Sequence, residues 1–253
     1  MLEFQPKSDA FHQKTILITG AGDGIGKEAA KQFARYGANT ILLGRTVNKL
    51  ESTYDECIAL GCGECAIIPL DMEGATPNNY SEMAQTIEAQ FGKLDGLLHN
   101  ASILGQLQPF GQIPETEFNQ VMQINFNGPF FMTQALLPVL KKAHNASVLL
   151  TSSSVGIKGR AYWGTYAMSK FATEGMMQCL ADEYSNSTIR FNCINPGATR
   201  TSMRASAFPA ENPDNLKTPE DIMPTYLYLM DDESVGVTGQ TFACQPKSVS
   251  LTQ

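Results

Sequence analysis

The sequence predicts one α/β domain: a doubly wound, seven-stranded parallel sheet with helices on both faces. Three observations predict it. Short runs of β-branched and apolar residues alternate with segments of helical period along the whole chain. The first run opens directly into a glycine-rich turn and then a helix. Beyond the ends of the other runs stand polar residues, glycine or proline, where ligands bind in sheets of this kind. The 253 residues are many for one domain but usual for α/β folds.

The first strand is Thr15-Ile16-Leu17-Ile18-Thr19, a buried-type run. The further strands are expected over residues 40–43, 66–70, 96–99, 147–151, 190–194 and 240–243. Helices are expected over 24–36, 47–60, 80–91, 117–140, 166–184 and 219–229. Such alternation implies right-handed crossovers and a sheet covered on both sides. Residues 1–13 form an N-terminal arm. Residues 198–218, rich in Pro, Asn, Asp and Ser, are expected to be a substrate lid loop, since so long an irregular stretch in a compact domain is usually functional.

The turn Gly20-Ala21-Gly22-Asp23-Gly24-Ile25-Gly26 has the order strand, glycine turn, helix of a dinucleotide-binding entry. Gly20 permits the tight turn, Gly24 lets backbone N–H groups approach a diphosphate, and Gly26 lets helix and strand pack closely. The helix N-terminus offers its free N–H groups to the same anion. The second strand ends in Gly44-Arg45 with no carboxylate to accept from a ribose 2′-hydroxyl. Arg45 is suited to clamp a 2′-phosphate, with Lys49 an alternative one turn on, so NADP(H) is expected over NAD(H). Asp23 argues the other way, because its charge falls near the adenosine end.

Tyr166 and Lys170 stand four residues apart, one turn along a helix. A free phenol titrates near ~10, and a nearby ammonium lowers that value. Tyr166 is therefore expected to exchange a proton with a carbonyl or alcohol oxygen. Asn125 sits mid-helix, where asparagine is a poor former, which implies that its side chain is wanted there; Asn127 is its rival.

T-G-x-x-x-G-x-G at 19–26, followed by Y-x-x-x-K at 166–170, resembles the pattern of the short-chain dehydrogenase/reductase family. The resemblance runs from about residue 14 to 245. Segments 43–45, 99–101, 152–156 and 204–209 are most similar to a bacterial 3-oxoacyl-(acyl carrier protein) reductase-like subgroup. It implies a Rossmann-type fold and an NADP-dependent oxidoreductase interconverting a carbonyl and a secondary alcohol, with a 3-oxoacyl thioester among the candidate ketones. It implies that Lys170 also holds the nicotinamide ribose. Ser153, thirteen residues before Tyr166, would orient the substrate oxygen, with Ser152 and Ser154 as register alternatives. Asn125 would bend its helix and hold a water in a relay to the lysine. Ile25 joins the glycine turn in the cofactor set. Asp71 and Met72 would flank the adenine, as would Asn100 and Ala101; Asp71 is equally a helix N-cap. Pro196, Gly197, Thr199 and Thr201 would pass the nicotinamide. The family's usual D-G-G after the last strand is replaced by Cys244-Gln245-Pro246.

The same resemblance implies a homodimer or homotetramer built on helices 117–140 and 166–184. Epimerase or dehydratase chemistry, or a silent binding protein, are the alternatives; the chain is short for the first and keeps the tyrosine and lysine that the second usually loses. Net charge is −7, which argues against a nucleic-acid partner. No stretch is apolar enough for a membrane span. Cys62-Gly63-Glu64-Cys65 lacks a second ligand pair, so no metal is expected, and six cysteines read as free thiols in the cytoplasm. His99 reads as a structural residue. Met176, Met177 and Met223 either line a substrate channel or fill core gaps. Arg200 and Arg204 either meet an acidic substrate or are solvated.

Overall fold

A computed structural model describes residues 2–245. The strands are β1 (Thr15–Thr19), β2 (Asn39–Gly44), β3 (Cys65–Pro69), β4 (Gly96–His99), β5 (Ala146–Thr151), β6 (Ile189–Asn195) and β7 (Thr241–Ala243). They form one parallel sheet in the order β3-β2-β1-β4-β5-β6-β7, a doubly wound Rossmann-type domain. The order reverses between β1 and β4, and that switch point opens a crevice at the carboxyl ends of the strands.

The period of two along each strand sorts the side chains into two cores. Leu17, Ile41, Leu43, Leu97 and Val148 face α3 (Pro77–Phe91), α5 (Gly128–Leu140) and α6 (Gly164–Glu183). Ile16, Ile18, Leu42, Leu98 and Leu149 face α1 (Gly24–Arg35), α2 (Val47–Ala59) and α8 (Met223–Met230). The N-terminal arm belongs to the second core: Phe11 is fully buried and packs edge-on against Phe33 at 5.4 Å.

Local chemistry sets the helix starts. Asp23 caps α1, its carboxylate accepting from Gly24 N at 2.7 Å. Thr76 and Asn79 form a capping box ahead of α3, with Pro77 in the first turn.

The sequence expected one helix over 117–140. Instead α4 (Glu115–Met122) passes through a π-helical turn, Gln123–Asn127, into α5. The wider turn lets Asn125 reach sideways, as described below. The lid region is not a continuous loop: Thr201 accepts from Arg204 N at 3.2 Å and starts a short helix, α7 (Ser202–Ala207). The Pro- and Asn-rich residues after it masked that helix in the sequence. No helix among the described residues is long and apolar enough to cross a membrane.

Candidate active site

The crevice is a cleft of about 520 Å³ that touches the carboxyl ends of β1 through β6. At its outer end lies the glycine turn. Gly20 and Gly24 have φ of 68° and 51°, a region that glycine enters without strain. A Cβ on Gly26 would collide with the Gly20 carbonyl oxygen, so only glycine lets α1 lie this close to the turn. Thr19, read from sequence as a strand end and the first residue of the glycine motif, staples this corner. Its hydroxyl accepts from Asn100 N at 2.9 Å and Ala101 N at 3.0 Å, tying β1 to β4.

Arg45 is exposed on the cleft wall at the end of β2. Lys49 does not stand free as a second clamp. It pairs with Asp23 at 2.6 Å, and this bond holds the Asp23 carboxyl below its usual pKa. The pair also answers the sequence objection from Asp23, whose charge is largely neutralised in place. Asp71 accepts from Glu73 N at 3.1 Å in a local turn after β3 and lines the cleft with Met72.

At the inner end Tyr166 and Lys170 are both buried. The Lys170 Nζ donates to Thr151 O at 2.7 Å and lies 5.5 Å from the Tyr166 ring centroid. Burial lowers the lysine pKa to about 8. Burial also pushes the Tyr166 phenol up to about 12, opposed by its hydrogen bond with Ser153. This corrects the expectation that Lys170 acidifies the phenol. In the protein alone desolvation sets the direction of the shift.

Ser153 takes extended backbone at the end of β5 and caps a 3₁₀ turn, its hydroxyl accepting from Val155 N at 3.5 Å. Ser154 is exposed, and the buried Ser152 hydroxyl has no hydrogen-bond partner among the described residues. The register therefore gives Ser153 to Tyr166. Asn125 is buried and spans the gap between the Ile103 segment and α6. Its amide accepts from Ile103 N at 2.8 Å, donates to Ile103 O at 2.9 Å and donates to Ser169 Oγ at 3.1 Å. The side chain of the rival Asn127 donates to Gln123 Oε1 at 3.1 Å, one turn back in its own helix.

Pro196 and Gly197 pass the cleft after β6, Gly197 with φ of 74°. Thr199 donates to Pro196 O at 3.2 Å, and Thr201 to Thr199 O at 3.4 Å. Gln245 braces this passage, donating to Pro196 O at 2.9 Å and Ala198 O at 3.0 Å. A glutamine thus does bracing work in the segment that lacks the D-G-G; its neighbour Pro246 lies outside the described residues.

Some candidates fall elsewhere. His99 is buried and bonds Thr133 Oγ1 at 2.8 Å; burial lowers its pKa to about 3, so it is neutral. Met177 and Met223 fill the two opposite cores, and Met176 packs against the first. Arg204 is held by both Glu211 oxygens, at 2.6 and 2.7 Å, and Arg200 by Pro213 O at 2.8 Å and Asp214 at 3.5 Å. Neither arginine is free for an acidic substrate. The wall residues Leu104, Trp163 and Met203 were not singled out from sequence, because scattered apolar residues give no pattern to read.

A glycine-cradled cleft that ends at a buried tyrosine–lysine pair defines a dinucleotide-dependent oxidoreductase site. The chain belongs to the short chain dehydrogenase family, whose model matches residues 14–212. It is 52% identical over 245 residues to the uncharacterized oxidoreductase YciK of Escherichia coli K12, covering 97% of each chain. A short chain dehydrogenase from Escherichia coli CFT073, solved in complex with NADPH, is 52% identical with a TM-score of 0.93, covering 95% of this chain and 100% of that one. The 3-oxoacyl-[acyl-carrier-protein] reductase of Thermotoga maritima is 31% identical over 235 residues, covering 90% of this chain and 94% of the relative. The protein is accordingly an oxidoreductase with a site for a nicotinamide cofactor.

Proposed function

We propose that the protein interconverts a carbonyl and a secondary alcohol using NADP(H). The observation that carries this reading is the convergence of Tyr166, Ser153 and Lys170 at the inner end of a cleft that begins at the glycine turn and Arg45. The glycine cradle at Gly26 and the exposed Arg45 fit a phosphorylated dinucleotide. The bound cofactor supplies the hydride.

The protein supplies the rest. Tyr166 donates the proton to the carbonyl oxygen, and Ser153 donates a hydrogen bond that orients it. Lys170 holds the nicotinamide ribose and keeps a positive charge beneath the phenol. Asn125 fixes the Ile103 segment against α6. Gly20, Gly24, Ile25 and Gly26 offer backbone N–H groups and close approach to the diphosphate. Asp71, Met72, Asn100 and Ala101 flank the adenosine side. Pro196, Gly197, Thr199 and Thr201 border the nicotinamide. Residues 198–218 act as the lid.

The NADPH complex of a relative 52% identical supports the cofactor choice. The 31% identical reductase supports a 3-oxoacyl thioester among the substrates. A homodimer or homotetramer is supported by exposed Phe118, Phe130, Met168 and Phe171 on α4, α5 and α6. A monomer by light scattering at micromolar concentration would contradict it. Six free cysteines support a reducing, cytoplasmic setting.

The cofactor assignment is tested by kcat/KM for NADPH and NADH in wild type and Arg45→Ala. Wild type is expected to prefer NADPH. The variant is expected to lose about 1.5–3 kcal/mol with NADPH, the cost of one charge-assisted hydrogen bond, and little with NADH. A preference that does not move on substitution would remove Arg45 from the account.

A further inference from the structure

Beyond the Tyr166 phenol the cleft is walled by hydrocarbon. Leu104, Trp163 and Met203 pack against the small cluster of Val155, Tyr166 and Ala167. The Trp163 ring lies 5.9 Å from that of Tyr166 and 5.9 Å from that of Phe208, so aromatic surface runs from the reacting hydroxyl to the lid helix. Two arginines approach this wall, Arg204 and Arg160. Arg204 stacks over Phe208 at 3.8 Å, and Glu211 takes up two of its donors. Arg200 is held within the lid by Pro213 and Asp214. Arg160 is exposed and lies over the Trp163 ring at 5.8 Å, on the rim. Arg200 and Arg204 are each paired with a carboxylate of the lid, leaving apolar surface beside the carbonyl.

We infer that this subsite takes an uncharged, apolar ketone or secondary alcohol, its hydrocarbon body against Trp163, Met203 and Leu104, and rejects a substrate bearing a carboxylate beside the reacting carbon. The inference rests on the carbonyl–alcohol reading above and names its substrate class. An apolar body leaves water favourably on entering such a wall. A carboxylate would lose its hydration there, and would have to displace Glu211 from Arg204 or reach out to Arg160 on the exposed rim.

Trp163 is the only tryptophan of the chain, so its emission reports on this subsite without requiring turnover. The experiment titrates the NADP⁺-loaded protein with cyclohexanone and with 3-oxocyclohexane-1-carboxylate, and measures kcat/KM for both with NADPH. The neutral ketone is expected to give a saturable change in emission. The acid is expected to be at least about 30-fold weaker in both readouts, the effect of an unpaired charge at an apolar wall. Glu211→Gln frees the Arg204 guanidinium and is expected to narrow that gap by about tenfold. Equal handling of ketone and acid, no saturable response to the ketone in either readout, or a gap unchanged in Glu211→Gln would overturn the inference. Binding of the ketone without NADPH oxidation would defeat the reductase reading and leave the subsite standing. Oxidation that favours the acid would do the reverse.

Discussion

Tyr166→Phe is expected to lower kcat by about 10²–10⁴-fold, the contribution of a positioned general acid, while leaving the Kd for NADPH unchanged. The ring is buried and packed by Trp163, and phenylalanine preserves that shape, so the loss falls on the proton and not on the fold. The phenol sits with a pKa of about 12 in the protein alone, so it stays protonated across the working range. That suits reduction, where the tyrosine gives a proton. It leaves the reverse direction dependent on positive charge arriving beside the phenol. Stopped-flow and steady-state rates on a good ketone substrate check this. A variant that kept more than about a tenth of wild-type kcat would refute the assignment.

Lys170→Met is expected to damage both rate and cofactor affinity, which separates it from the tyrosine change. The ammonium is buried with Thr151 O as its partner, and burial lowers its pKa to about 8. The sign follows directly. Below about pH 8 the group is charged and able to hold the ribose; as pH rises through that value the charge is lost, and kcat/KM in the free protein is expected to fall. The same depression means that the charged form costs folding stability below about pH 8, a cost relieved between there and 10.5. Replacing a buried ion pair by apolar side chains of similar volume is often stabilising by about 1–4 kcal/mol, and Lys170 is a buried ion with no carboxylate partner among the described residues. Lys170→Met is therefore expected to raise Tm at pH 7 while it removes activity and the falling limb of the pH profile. An unchanged Kd for NADPH would take the ribose contact out of the account.

The sheet was legible because its strands are short apolar runs whose period is visible, and all seven begin and end within one residue of the expected limits. The fold also made the glycine turn and the tyrosine–lysine pair legible, since both are local patterns with fixed spacing. What escaped was set by contacts distant in sequence. The π-helical turn at Asn125 exists because its amide is satisfied by Ile103, twenty-two residues away. The ion pair of Lys49 with Asp23 spans twenty-six residues and removed both a candidate clamp and an objection to NADP(H). The acidification of Tyr166 by Lys170 was reasoned from spacing alone. Spacing carries no information on burial, and burial decided the direction of the shift. Gln245, forty-nine residues from Pro196 in sequence, had no motif to mark it.

The proposed function requires hydride to pass between a nicotinamide and a carbonyl carbon in this cleft. It is tested most directly by incubating the protein with NADPH carrying deuterium at the C4 hydride position and an apolar ketone, then analysing the product by mass spectrometry. The account predicts one deuterium on the carbinol carbon and one NADP⁺ formed per alcohol, with both abolished in Tyr166→Phe. Bound NADPH that transfers no deuterium to any neutral or acidic ketone would contradict it.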